Sequence, residues 1–170
     1  GHKLQLDSLY LFALEIYDND ISEALLALSF ACLPYDEIPL RIPIINEKLP
    51  VPLPSVNKKM FKIRYKKLPS KILIDSPNHK LGDKDKLSHF FGNAFLAYNS
   101  NLINIARFFG SIVELFENAF YIEGAVDPKD VILNRLGEHF GNRLQEDEKI
   151  LPSKVLDLYY IIYANKIHLF

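Results

Sequence analysis

The chain is predicted to be a mainly α protein, a single-domain bundle of five or six helices with a small two-stranded β element and a proline-rich extended strap. Three observations predict this class. Apolar residues recur at helical spacing from Leu87 onward. Six prolines fall between Pro34 and Pro54, where a helix cannot continue. A length of 170 residues, 49% of them hydrophobic, with a formal net charge of −1, is typical of one globular domain.

Residues 1–33 are predicted to form a helical hairpin. Apolar periodicity predicts one helix over 4–17 and a second over 21–33, with Asp20 as N-cap and Glu23 completing a capping box. The second helix is apolar almost all round, which indicates burial or contact with a partner or a membrane surface. Because the chain has one cysteine, Cys32, we predict neither a disulfide nor a cysteine metal cluster, and we expect this thiol to be buried.

Residues 34–80 are predicted to hold the strap and the β element. Ile, Leu and Val separate the prolines, which favours an extended segment laid across an apolar surface over a solvated linker. Alternation over Met60–Tyr65 predicts a strand, with Lys71–Asp75 as its partner, so the two-stranded element is expected within Phe61–Asp75. The lysines of Asn57–Lys67 are interpreted as part of an exposed, solvated loop or strand, because the stretch is short and the near-neutral chain has no electrostatic footprint for nucleic acid.

Residues 81–170 are predicted to form the helical core. A helix is expected from about 83 to 99, followed by a strongly apolar helix over 101–123. Asp127-Pro128 predicts the start of the next helix, with Asp as N-cap and Pro at the first helical position. Pro152 is expected to open the last helix.

Three polar stripes on these helices mark the candidate site. Each follows helical spacing and each contains glycine, which favours helices packed closely around a shared polar centre. The stripes are Asp85, His89 and Gly92; Arg107, Gly110, Glu114 and Glu117; and Asp130, Asn134, Gly137 and Gly141. We expect the side chains of His89, Glu114 and Asp130 to converge, because stripes that face water would not need glycine.

Two uses of this constellation stay open, a closed structural network and a catalytic or metal site. The catalytic candidates are His89, Glu114, Glu117, Asp130 and Asn134. His89 would be the acid–base group or a metal ligand, and Glu114 and Asp130 would hold a divalent metal or orient the histidine. Asp85 and Arg107 are the binding candidates, with Arg107 neutralising charge or holding an anionic substrate. No other cofactor is implied, since a dedicated metal motif, a nucleophile elbow, a phosphate loop and a dinucleotide-binding turn are all missing from the sequence.

Each of these residues also has a structural interpretation. An acid at Asp130 is favoured by the helix dipole alone. Glu114 and Glu117 form either a solvated strip or part of a polar interior, and a lone histidine is more often a satisfied structural residue. Gly137 and Gly141, four residues apart, are more often a packing contact than a ligand site.

Three features of the stretch from Asp83 to Gly141 are shared with a known group of proteins. They are the run Asp85-Lys86-Leu87-Ser88-His89-Phe90, a middle helix with Glu114 and Glu117, and Asp127-Pro128-Lys129-Asp130 followed by Asn134, Gly137 and Gly141. This pattern resembles the VanZ-like group and related periplasmic lipoproteins of bacteria, over about a third of the chain. The resemblance implies an exported, envelope-associated protein whose shared polar residues cluster, and it implies no particular reaction. The chain departs from the group in its more highly charged helices and in an N-terminal half without a counterpart.

Two functions from different classes follow from these observations. The favoured one is a binding or scaffolding module of the cell envelope, periplasmic or envelope-associated, with an envelope protein or the membrane surface as partner and no nucleic acid. The alternative is a hydrolase-like or divalent-metal-dependent enzyme that uses the His/Glu/Asp/Asn cluster.

Overall fold

The computed structural model describes residues 2–33, 37–41, 48–52, 57–78, 82–100 and 128–167. In chain order these residues form α1 (His2–Ile16), α2 (Ile21–Ala31), β1 (Glu37–Arg41), β2 (Lys48–Pro52), α3 (Lys58–Lys67), α4 (Lys84–Tyr98), α5 (Pro128–Glu146) and α6 (Pro152–Ile167). The mainly helical class is therefore confirmed. Within the described ranges, no helix combines the length and the hydrophobicity that crossing a bilayer requires.

Helix α4 lies at the centre of the fold. It packs against α5 and against α2, while α1 contacts α2 and α6. Eleven of its fifteen residues are buried, so it is covered on more than one side. Phe90 of α4 stacks on Phe140 of α5 with ring centroids 5.5 Å apart, and Tyr10 of α1 meets Phe140 edge-on at 5.3 Å. These three rings connect α1, α4 and α5 into one apolar core.

Two glycines let α5 touch the backbone of α4. A Cβ at Gly137 would lie 2.2 Å from the carbonyl oxygen of Phe90, and a Cβ at Gly141 would lie 2.2 Å from that of Ala94. Carbon and oxygen atoms do not approach so closely without bonding, so only glycine permits this separation of the two helices. Of the two interpretations of these glycines, the structure shows the packing contact.

Side chains cap the start of α2 and the end of α4. Asp20 is the N-cap of α2 and accepts a hydrogen bond from the Glu23 amide at 2.9 Å, as the sequence predicted. Gln145 on α5 donates to the carbonyl oxygens of Ala97 and Tyr98, at 3.0 and 2.7 Å, and so satisfies the last turn of α4. The same pair of helices that meets at the glycines is thus also joined at its far end.

The prediction of a two-stranded element within Phe61–Asp75 is wrong. Its first half belongs to α3, whose N-cap Asn57 accepts a hydrogen bond from the amide three residues on, at 3.0 Å. Its second half is irregular. The partly buried side chains Phe61, Arg64 and Tyr65 are three and four residues apart, which is helical spacing. The alternation of apolar and basic residues over Met60–Tyr65 suggested a strand because the lysines would be exposed in either a strand or a helix.

The strap of residues 34–54 contains the one pair of strands in the described residues. Strands β1 and β2 are antiparallel, with Glu37 opposite Pro52. This pair is not the predicted one. The packing of the strap across an apolar surface concerns side chains outside the described residues, and the helix predicted over 101–123 lies outside them as well.

The irregular segment between α3 and α4 is held by the buried side chain of Asp83. Its Oδ2 accepts hydrogen bonds from the amides of Ile72 and Leu73, both at 3.1 Å. The same oxygen accepts one from the hydroxyl of Ser76. Gly82 precedes it with a φ of +55°, and a Cβ there would lie 1.8 Å from a backbone carbonyl oxygen. Asp83 therefore fixes the conformation of the segment that precedes α4, in addition to being the N-cap residue of that helix.

Replacing Gly141 by Ala tests the contact between α4 and α5. In an ordinary helix interior this change would stabilise the protein by about 1 kcal/mol, because alanine is the better helix former. Here the added methyl group must push the two helices apart, so we expect the free energy of unfolding to fall by roughly 1–3 kcal/mol in urea titrations followed by circular dichroism. Asn142→Ala, at the neighbouring exposed position, is the control and should be neutral or slightly stabilising. A stabilised Gly141→Ala protein would contradict the contact.

Candidate functional site

The polar stripes predicted on α4 and α5 face each other beside the glycine contact. The imidazole Nδ1 of His89 lies 2.9 Å from Oδ1 of Asn134, and its Nε2 lies 3.8 Å from Oδ1 of Asp130. The ammonium of Lys86, one turn earlier on α4, lies 2.6 Å from the same Asp130 oxygen. The structure thus brings His89, Asp130 and Asn134 together. We call the following residues the α4–α5 polar cluster: Asp85, Lys86, His89, Asn93, Asp130 and Asn134.

The other candidates have different positions. Asp85 lies at the edge of the cluster, where its Oδ2 accepts a hydrogen bond from Lys86 at 2.8 Å. Three candidates from the middle stripe, Arg107, Glu114 and Glu117, lie outside the described residues. The predicted convergence is therefore described for two of the three stripes.

Two members of the cluster were not among the residues predicted from sequence. Lys86 joins the carboxylates of Asp85 and Asp130. Asn93 donates to Oδ1 of Asn134 and to the carbonyl oxygen of His89, both at 2.9 Å. Lys86, His89 and Asn93 are three and four residues apart, so extending the stripe by helical spacing would have found both.

The cluster is largely withdrawn from solvent. The side chains of Lys86 and His89 are 7% and 10% exposed, and those of Asp130 and Asp85 are 14% and 23% exposed. Charges at this depth lose hydration and require partners. The partners are present, because one ammonium serves two carboxylates while amide and imidazole groups bond to each other.

The imidazole of His89 is held neutral. Burial lowers its pKa below the ordinary value of 6.5, and the nearby charge of Lys86 adds to this, although Asp130 and Asn134 act in the opposite direction. Since Oδ1 of Asn134 is an acceptor, we assign the proton of the neutral ring to Nδ1, which donates to that oxygen. The lone pair of Nε2 is then on the side of Asp130, beyond hydrogen-bonding distance.

The position of Lys86 is relevant to the predicted metal ligands His89, Glu114 and Asp130. Among the described residues, no group of three or more His, Cys, Asp or Glu side chains is placed to hold a metal ion. Lys86 gives a physical reason, because its ammonium lies between the carboxylates of Asp85 and Asp130, where a cation would bind. Glu114 is outside the described part of the chain.

Cys32 is fully buried, as predicted. Burial raises its pKa to about 12, so the side chain stays a thiol at neutral pH and is not a ready nucleophile.

A groove of about 710 Å³ lies elsewhere, along α1. One wall includes Leu4, Leu9 and Phe12 of α1, and the opposite wall includes Lys67 and Lys71 from the end of α3 and the segment after it. None of its lining residues belongs to the α4–α5 polar cluster. We call this feature the α1 groove.

No protein family, curated protein or solved structure matches this chain. The resemblance to the VanZ-like group therefore stays a prediction that rests on the residues quoted above.

The lowered pKa of His89 predicts a pH dependence of stability. Between the folded pKa and 6.5 the unfolded chain binds the proton and the folded chain does not. The contribution of this group is therefore complete above pH 6.5 and is lost as the pH falls from there toward the folded pKa, with a slope of up to about 1.4 kcal/mol per pH unit. Thermal or urea unfolding at a series of pH values measures it.

Two variants isolate the contribution of this histidine. His89→Asn places an amide nitrogen near the position of Nδ1, keeps the donor to Asn134 and removes the titration, so its stability should fall less steeply below pH 6.5. His139→Asn, at an exposed position on α5, should keep the slope of the unsubstituted protein. Equal slopes for His89→Asn and the unsubstituted chain would show that His89 does not titrate as argued.

Proposed function

We propose that this protein is a binding or scaffolding module of the bacterial cell envelope, on its periplasmic side, and that the α1 groove is its working surface. The observation that carries the proposal is the exposure of large apolar side chains at the groove. Leu4 is 66% exposed and Phe12 is 59% exposed, and both line it. Large apolar side chains exposed at a groove are costly in water and are typical of a surface that a partner covers.

The sequence of α1 supports this use. Leu6, Tyr10 and Ala13 form the buried face and supply the core. Leu11 and Ile16 are exposed on the other side and extend the apolar surface beyond the groove. Helix α1 thus exposes large apolar side chains outside its buried face, among the polar residues Gln5, Ser8 and Glu15, and the core does not account for them.

The α4–α5 polar cluster supports the proposal in a different way. Its charged and hydrogen-bonding groups are directed at one another, and the α1 groove is built from other residues. We therefore assign the cluster the task of clamping α4 to α5. The envelope location rests on the resemblance to the VanZ-like group and the periplasmic lipoproteins, and the partner is an envelope protein or the membrane surface.

Phe12→Ser tests the proposal in the native host. Because Phe12 is mostly exposed, the substitution should leave the thermal midpoint nearly unchanged while lowering the envelope-bound fraction of the full-length protein several-fold. Ile161→Ser is the matched control, since Ile161 on α6 is also 59% exposed and lies away from the groove lining. Fractionation and immunoblotting measure the distribution. An equal loss in both variants, or a cytosolic location of the unsubstituted protein, would overturn the proposal.

The second candidate is the hydrolase-like or divalent-metal-dependent enzyme. The observation that favours it is a neutral imidazole with its Nε2 3.8 Å from the carboxylate of Asp130. A neutral histidine beside a carboxylate is able to accept a proton or to bind a metal, and Asn134 already fixes the orientation of the ring.

Metal titration distinguishes the two candidates. If the cluster binds Mg²⁺, Mn²⁺ or Zn²⁺, a saturating concentration of the metal that binds should raise the thermal midpoint of the protein. Asp130→Asn should abolish this rise. Glu138→Gln, an equal change of charge at an exposed position on α5, should preserve it. No shift with any of the three metals, together with a loss of stability in Asp130→Asn, is the result that the clamp assignment requires.

A further inference from the structure

We infer that the partner of the α1 groove is an anionic phospholipid bilayer. In this arrangement α3 contacts the lipid headgroups, and the groove and the exposed apolar side chains of α1 contact the acyl region. This inference rests on the proposed function, because it names the partner of the same surface. It is carried by the charge of α3, by the apolar residues among its lysines and by the continuity of α3 with the groove.

The charge of α3 is strongly one-sided. Its ten residues include six basic and no acidic side chains, in a chain whose formal net charge is −1. One of the six, Arg64, is used internally, donating to the carbonyl oxygens of Phe30 and Leu33 at 3.0 and 2.9 Å. The other five are exposed: Lys58, Lys59, Lys62, Lys66 and Lys67. An anionic surface is the complement of such a helix, and juxtaposed lysines of this kind are attracted to acidic lipids.

Apolar side chains are exposed among these lysines. Met60 is 48% exposed and Ile63 is 40% exposed. At 100° per residue they lie on the same side of α3 as Lys67, while Lys59 and Lys66 lie along the flank of this stripe. A charged flank beside an apolar stripe suits the bilayer interface, where lysine stems lie against apolar groups and the ammonium reaches the phosphates.

The surface of α3 is continuous with the α1 groove. Lys67 belongs to both, and Lys71 extends the basic wall of the groove by one further cation. The opposite wall presents Leu4 and Phe12 of α1. Cations and exposed apolar groups thus meet across a single groove, which fits a phospholipid, with its phosphate beside the lysines and its acyl chains beside α1.

The aromatic residues of α3 argue against nucleic acid as the partner. Single strands are held by bases stacked on exposed rings. The rings of Phe61 and Tyr65 are stacked on each other at 6.2 Å, and Arg64 lies 4.5 Å from the centroid of Phe61. Lys84 of α4 covers Tyr65 at 4.8 Å. Both rings are occupied within the protein, and the apolar groups that α3 exposes are aliphatic.

Vesicle flotation with the full chain tests the inference. The probes are vesicles of phosphatidylcholine alone and vesicles of equal parts phosphatidylcholine and phosphatidylglycerol. We expect binding to the second and not to the first, weakening as salt is raised. The double variant Lys59→Glu/Lys66→Glu should lose at least about tenfold in partitioning. Lys149→Glu/Lys154→Glu, exposed and remote from the groove lining, has the same net charge and should bind like the unsubstituted protein.

A second pair of variants tests the apolar contribution. Ile63→Gln should lower partitioning several-fold, whereas Ile161→Gln, at an exposed position on α6, should not. Equal binding to both kinds of vesicle, equal losses in the two double variants, or binding of single-stranded RNA in place of vesicles would overturn the inference. If vesicles do not bind while Phe12→Ser still releases the protein from the envelope, the lipid assignment fails and the proposed function stands. If both tests fail, both are wrong.

Discussion

The approach of α5 to the backbone of α4 is the constraint on which the rest of the structure depends. With no side chain at Gly137 or Gly141, the two helices lie at a separation set by backbone atoms. At that separation Lys86 and His89 reach their partners on α5 directly, at 2.6 and 2.9 Å. A wider spacing would separate the buried ammonium of Lys86 from the carboxylate of Asp130, and breaking a buried pair of that kind costs about 3–5 kcal/mol. The glycine contact and the polar cluster therefore depend on the same separation of α4 and α5.

A second set of polar contacts fixes the position of α4 at its N-terminal end. A buried carboxylate, Asp83, gathers two amides and a hydroxyl from the preceding segment, and hydrogen bonds to a charged acceptor are about twice as strong as neutral ones. The same segment carries Asp75, which accepts a hydrogen bond from Tyr159 of α6 at 2.8 Å and pairs with Lys129 of α5 at 3.0 Å. Burial, together with the Asp75 hydrogen bond, raises the pKa of Tyr159, so this phenol stays a donor. Three helices thus converge on one irregular segment.

The features that could be predicted from the sequence are those that depend on residues close together in the chain. Helices with a 3.6-residue apolar repeat and a local start signal, such as Asp20 or Pro152, were predicted to within a few residues. Helix α3 was not, because ten residues with six cations hold too few apolar positions to separate a period of two from one of 3.6. The role of Asp83 left no trace in the pattern, because its partners include backbone amides ten and eleven residues away. The facing stripes were predicted because glycine marked them, whereas Lys86 was overlooked because lysine is usually exposed.

The lysines of this protein show why side-chain type alone does not locate function. Lys86 is buried between the carboxylates of Asp85 and Asp130 and pairs with both. Desolvation offsets most of the attraction in a buried pair of this kind, so its net contribution to stability is small even though breaking it is costly. The lysines of α3 are the reverse case, because they are exposed beside Met60 and Ile63. In our proposals the conspicuous His/Asp/Asn stripes therefore serve architecture, and the basic helix α3, interpreted from sequence as a solvated loop or strand, serves recognition.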